Sequence, residues 1–221
     1  MPSPPAQDGA GRTAPPPHRV EPLDGLPLLA PTPPGWVAVA CGDLDRLLAD
    51  HAHCEQKAAC AALALVGRFP QHVTLFSPLL ALAQEEVRHR RDVLARIEAR
   101  GGAYGRPEPD GYVRAVRALC CEDSDGLGAP GDLLLAAALV EARSCERFRL
   151  LAGALSPRPG GDGELGAFYA RLAVAEARHW ELFRDLAGSL YPASRVRKRL
   201  SAVARREAEL ILQRPLLPRM H

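Results

Sequence analysis

After about residue 43, apolar residues recur at a spacing of three to four, the pattern of amphipathic helices rather than strands. One stripe runs Leu44, Leu48, His51, Glu55, Ala59, Ala62 and Val66. It predicts a helix from about Asp43, its N-cap, to Arg68, closed by Phe69-Pro70. The next stripe, Leu75, Leu79, Leu82, Glu86, His89, Val93 and Ile97, predicts a helix over about 73–100, with Gly101-Gly102 as its stop and Pro78 in its first turn or so. A short helix is expected over 112–121 and a third long one over 132–155. A fourth, over 164–189, carries Leu165, Phe168, Leu172, Glu176, His179, Phe183 and Leu186. A last helix over 193–213 is basic early and apolar late. The spans 43–100 and 132–189 repeat one plan of two helices joined by a short loop. Short loops make antiparallel neighbours. The predicted class is all-α: an antiparallel four-helix bundle with a short connecting helix and an additional C-terminal helix.

Composition agrees with one helical core. The chain has 221 residues, 47% of them hydrophobic and only 5% aromatic, with Ala and Leu dominating its middle. Residues 1–35 are different. They are rich in Pro, Gly and Ala, including Pro15-Pro16-Pro17 and Pro31-Thr32-Pro33-Pro34, and read as a disordered or extended arm. The expected divisions are therefore 1–35 arm, 36–213 helical domain and 214–221 tail. No apolar run is long enough to span a bilayer, and the N-terminus lacks the pattern of a signal peptide. The six cysteines form no C-x-x-C pair, which removes the zinc-ribbon and thioredoxin readings and suits reduced thiols in a cytoplasmic protein.

Charged residues on the apolar stripes carry the chemistry. Glu86-Val87-Arg88-His89 and Glu176-Ala177-Arg178-His179 are both Glu-x-x-His, and each follows a helix bearing a Glu on its own stripe, Glu55 and Glu141. Positions i and i+3 share a helix face, so each motif can offer a carboxylate and an imidazole to one ion. Chance supplies about 0.4 such motifs in a chain with these numbers of Glu and His. Two on core-facing stripes are a stronger signal, since charged groups are seldom buried unless paired or metal-bound. Glu55, Glu86, His89, Glu141, Glu176 and His179 are thus candidate ligands of a dinuclear centre, and this donor set suits iron or manganese. On the third helix Glu146 competes with Glu141. Antiparallel pairing favours Glu141, at a matched distance from its loop, whereas Cys145-Glu146 echoes Cys54-Glu55 locally. His51, one turn before Glu55, and Glu146 are candidates for supporting positions beside the ligands. His53 and His72 are expected at the surface, and Cys145 and Trp180 are expected to pack.

The segments Asp50-His51-Ala52-His53-Cys54-Glu55-Gln56-Lys57-Ala58-Ala59, Glu141-Ala142-Arg143-Ser144-Cys145-Glu146-Arg147-Phe148 and Glu176-Ala177-Arg178-His179-Trp180-Glu181-Leu182 resemble the MiaE family. These are tRNA 2-methylthio-N6-isopentenyladenosine hydroxylases of ferritin-like fold. The similarity spans about 36–213. The resemblance implies a ferritin-like bundle holding two iron ions, with the six residues above as ligands. It implies an O2-dependent monooxygenase that hydroxylates the isopentenyl group at position 37 of tRNA, fed with electrons by a separate reductase. A monomer suffices for the bundle itself.

Support for tRNA binding from the residues alone is slight. Residues 195–214 hold seven Lys/Arg against two Glu, and Arg195, Arg197, Lys198 and Arg199 are candidate phosphate contacts. The alternative is a solvated helix face whose arginines lie over apolar packing. Two other functions share parts of the pattern. A rubrerythrin-like peroxidase or an iron-handling ferritin-like protein would use the same ligands without tRNA, and a non-catalytic helical interaction protein would carry them as vestiges.

Overall fold

A computed structural model describes residues 25–109, 111–121, 125–156 and 162–221. Seven α-helices occupy the described residues: α1 Trp36–Gly42, α2 Leu44–Arg68, α3 Phe76–Ala99, α4 Gly111–Cys121, α5 Gly131–Ala154, α6 Gly163–Leu190 and α7 Ala193–Leu212. α2 pairs with α3 and α5 with α6, which are the two repeated halves of the sequence. Asp43 caps α2, its side chain accepting from the Arg46 N–H at 3.1 Å, and Asp162 caps α6 by accepting from Leu165 at 3.0 Å. α3 ends at Gly101, whose φ of +67° is a left-handed conformation suited to glycine. The start of α6 lies close to the end of α5: a Cβ on Gly166 would sit 2.8 Å from the Leu155 carbonyl oxygen.

Two departures from the expected helices have local causes. Residues 73–75 form a separate 3₁₀ turn before α3. Pro78 lacks the N–H that would bond back to residue 74, and its ring crowds that carbonyl, so a regular helix cannot begin at 73. α1 lacks a pattern long enough to read, yet its Trp36 is buried and donates from Nε1 to the Arg219 carbonyl at 3.2 Å.

The bundle core lies in two apolar blocks on either side of a polar centre. One holds Leu47, Leu48, Phe148, Leu151, Phe168 and Leu172, and the other Leu65, Leu79, Leu82, Leu134, Leu135 and Phe183. A third block joins α4 and α7 to the outer face of α5.

Buried residues lie on both sides of the expected 36–213 span. Leu26, Leu28, Ala30 and Thr32 are buried, as is Met220. A buried ionic network explains why. Arg143 pairs with Glu207 of α7 at 2.8 Å and with Glu146, while Glu146 accepts from the Thr32 N–H at 2.8 Å and its hydroxyl at 2.7 Å. At the other end, Asp50 of α2 accepts from Arg219 Nε at 2.9 Å and from the Met220 N–H at 2.8 Å. The part of the arm that is described and the C-terminal tail are therefore fastened to the domain. Residues 1–24 lie outside the described residues. Among the described residues, no helix is long and apolar enough to cross a membrane.

Candidate metal centre

The polar centre is built from all four bundle helices. α2 supplies Glu55, α3 Glu86 and His89, α5 Glu141, and α6 Glu176 and His179, and all six are buried. Their ligand atoms fall into two overlapping groups: Glu55, Glu86, His89 and Glu176, and Glu86, Glu141, Glu176 and His179. Within each group the atoms lie within 4.8 Å of one another. Glu86 and Glu176 belong to both groups, whereas each group has its own imidazole and its own second carboxylate. Two overlapping groups of this kind are a donor set that two neighbouring cations would fit.

The close contacts run along Nδ1 of each imidazole. His89 Nδ1 is 3.3 Å from Glu86 Oε2 and 3.8 Å from Glu55 Oε2. His179 Nδ1 is 2.9 Å from Glu86 Oε1 and 3.4 Å from Glu176 Oε2. The His179 approaches are close but not aligned as hydrogen bonds. Glu86 Oε1, Glu176 Oε2 and His179 Nδ1 are all buried without a hydrogen-bond partner. Buried polar atoms left this way are costly unless something else satisfies them, and cations placed among them would. The residues present therefore fit a pair of divalent ions.

The electrostatics agree. Burial pushes Glu55 and Glu141 well above the ordinary carboxyl range, and the neighbouring Glu86 and Glu176 respectively push them further. Burial would raise Glu86 too, but the imidazoles of His179 and His89 hold it far below that range. Burial would lower His179, yet Glu176 and Glu86 bring it up to about 12. Glu55, Glu141 and His179 thus hold their protons more tightly than usual in a cluster of four acids with no Lys or Arg inside it. Divalent cations can replace those protons, so metal binding releases them.

Two neighbours steady the cluster. His51 is buried, and its Nε2 lies 2.6 Å from Glu55 Oε1, close enough to share a proton. Burial and the nearby His89 lower its pKa to about 3, so the ring is neutral. Glu85 was not singled out in the sequence. Its Oε2 lies 3.5 Å from His179 Nε2 and its Oε1 3.8 Å from His89 Nε2, and Arg178 anchors it at 3.0 Å. One carboxylate thus faces the outer nitrogens of both imidazoles. The i, i+4 spacing to His89 was the available signal.

The other candidates are placed as follows. Glu146 faces Thr32 and Arg143 and is absent from both ligand groups. Cys145 is buried and donates to the Ala173 carbonyl, and Trp180 packs in the outer block. His53 is buried rather than exposed, because its ring bridges the Gly105 carbonyl at 2.8 Å and the Tyr104 hydroxyl at 2.7 Å. Arg195, Arg197 and Lys198 are exposed on α7. Arg199 is not available to a phosphate: it is buried, paired with Asp132 at 3.0 Å and donating to the Cys120 carbonyl at 2.6 Å.

A groove of about 190 Å³ opens between the facing sides of α2 and α5, with α4 at its rim. Glu55, Glu141 and Glu176 line it beside Phe148, Val140 and Phe183, and Met220 and His221 wall one end. The cluster is therefore buried yet open to an elongated, mostly apolar space.

A family model described as tRNA-(MS[2]IO[6]A)-hydroxylase (MiaE) matches residues 20–221. The chain belongs to the MiaE family. That match takes in residues on both sides of the 36–213 span legible by resemblance. A tRNA 2-(methylsulfanyl)-N(6)-isopentenyladenosine(37) hydroxylase of Pseudomonas putida is 39% identical over 140 residues. The aligned part is 63% of this chain and spans 64% of that relative's length. A solved structure, protein 43 with aldehyde deformylating oxygenase activity from Synechococcus, superposes with a TM-score of 0.74 at 38% identity, covering 88% of this chain and 94% of that one. The fold is ferritin-like, as the paired Glu-x-x-His plan requires.

Proposed function

We propose that this MiaE-family protein is an O2-dependent non-haem di-iron monooxygenase that hydroxylates the isopentenyl group of 2-methylthio-N6-isopentenyladenosine at position 37 of tRNA. The observation that carries the reading is the pairing of the two ligand groups through Glu86 and Glu176, beside an apolar groove that Glu55, Glu141 and Glu176 line. Family membership supplies the substrate class.

In this reading Glu55, Glu86, His89 and Glu176 would hold one iron ion and Glu86, Glu141, Glu176 and His179 the other, with Glu86 and Glu176 common to both groups. The bound iron pair supplies the oxygen chemistry. One atom of O2 enters a C–H bond of the prenyl group as hydroxyl and the other leaves as water, with two electrons from a separate reductase and two protons. The chain's own residues position and shield. The apolar walls hold the prenyl group and keep bulk water out. His51 holds Glu55, and Glu85 presents its carboxylate to the outer nitrogens of both imidazoles. The reading places the protein in the cytoplasm with its tRNA and needs no oligomer.

A second reading has one observation in its favour. The Synechococcus neighbour is described as having aldehyde deformylating oxygenase activity, and the same groove has room for an alkyl aldehyde. One assay separates them. Protein loaded with ferrous iron receives chemical reductant, O2 and tRNA bearing the isopentenylated adenosine, and the digested nucleosides are weighed by mass spectrometry. We expect one added oxygen on that nucleoside, absent with Glu86→Ala. No added oxygen, with conversion of an aliphatic aldehyde offered instead, would favour the second reading. Consumption of peroxide alone would favour a peroxidase.

A further inference from the structure

The groove continues well past the metal cluster. It follows α2 from His51 to Arg68, and Arg68 lies thirteen residues beyond Glu55, about 20 Å along the helix. Beyond Glu55 small side chains, Ala58, Ala61 and Ala64 of α2 and Ala136 and Ala137 of α5, line it together with Leu65 and Leu133. Its charged lining divides by position. The acids, Glu55, Glu141 and Glu176, all belong to the cluster. Every other lining residue with a permanent charge is a cation: Lys57, Arg68 and Arg117.

Arg68 and Arg117 come from different elements, the last turn of α2 and the outer face of α4, and both are exposed. They meet at one space, because both line this groove. Neither forms an ion pair with a carboxylate among the described residues. The basic run on α7 is different. Arg199 is committed to Asp132, and none of Arg195, Arg197 and Lys198 lines the groove.

We propose that Arg68 and Arg117 hold backbone phosphates of the RNA substrate at the outer end of the groove. The modified base then lies along the alanine walls with its alkyl group directed toward Glu55 and Glu141. This rests on the RNA-hydroxylase reading. Guanidinium forks bind phosphate oxygens in pairs, and two forks at the groove fix where the nucleotide enters without reading its sequence. Small wall residues leave room for a flat ring that larger side chains would exclude.

The test is binding of an anticodon stem-loop RNA with an unmodified adenosine to the iron-loaded protein across a range of salt concentrations. Arg68→Ala/Arg117→Ala should weaken binding about tenfold or more at low salt. It should also make the slope of log K against log salt shallower by about two, one for each lost phosphate contact. Iron content should stay at the wild-type level, and Arg68→Lys/Arg117→Lys should recover most of the slope. An unchanged affinity and slope in the double alanine variant would overturn the proposal. So would the same loss arising from Arg197→Ala/Lys198→Ala instead. Iron-loaded wild-type protein that binds no RNA would overturn the RNA reading itself and this proposal with it.

Discussion

Glu141 and Glu146 show what single residues disclose and what they conceal. Spacing from the α5–α6 loop favours Glu141, and Glu141 is the one that joins a ligand group. The local likeness of Cys145-Glu146 to Cys54-Glu55 misleads because helix phase sets which face a side chain occupies. Five residues past Glu141 points Glu146 outward, to Thr32 and Arg143. Glu85 was concealed for a similar reason: it lies off the apolar stripe but beside both imidazoles. We predict that Glu85→Gln, which keeps shape and removes charge, weakens iron retention about 10–100-fold in a chelator competition while the helical content is unchanged. Retention equal to wild type would remove Glu85 from the site.

The protonation pattern gives a second residue-scale prediction. Glu55 and Glu141 have pKa values raised above their ordinary 4.5, and His179 is raised from 6.5 to about 12. Raised values mean that the folded metal-free protein holds protons which the unfolded chain gives up. The stability from these groups is full below the unfolded values and falls as pH rises through the folded ones. Metal ions replace the same protons, so metal binding strengthens over that interval. The gain in Tm on adding ferrous iron anaerobically should therefore be larger at about pH 8 than at about pH 6. A gain that is equal, or larger at the lower pH, would contradict the assignment of these protons.

At the scale of elements, the four long helices were legible because each carries its stripe for six or seven turns. Their caps and stops, Asp43 and Gly101, sit where the sequence puts them. The parts that were not legible depend on contacts far away in the chain. α1 is too short to show a period, and it is held by Trp36 reaching Arg219. The Pro-rich composition around residues 25–35 suggests an arm, yet Thr32 is fixed by Glu146 and the leucines before it are buried. Gly166 is another such case, needed for the close approach of α6 to the Leu155 backbone rather than for helix formation. Gly166→Ala gains helix propensity of about 1 kcal/mol, but its Cβ would meet backbone at 2.8 Å, and backbone cannot swing aside. We expect a net loss of about 1–3 kcal/mol in chemical denaturation. A stabilised variant would show that the turn opens freely.

At the scale of the molecule, the repeat of helix with Glu followed by helix with Glu-x-x-His contained the plan of the bundle and of its centre. What it could not contain is the space between α2 and α5. That groove exists because the two halves pack through their own pairs while small side chains face each other across the gap. Its cations come from α2 and α4, not from the basic run that stands out in the sequence. The same run shows why charge counting misplaces an interface: Arg199 serves the fold, tying α7 to Asp132 and α4.

The central claim is that six buried side chains hold a pair of metal ions sharing Glu86 and Glu176. Its most direct test is the iron content per chain after anaerobic reconstitution with ferrous iron and removal of loosely bound metal. The account predicts two irons in the wild-type protein and at most one in Glu86→Ala, with helical content preserved in both. Two irons retained by Glu86→Ala, or none taken up by the wild type, would contradict it.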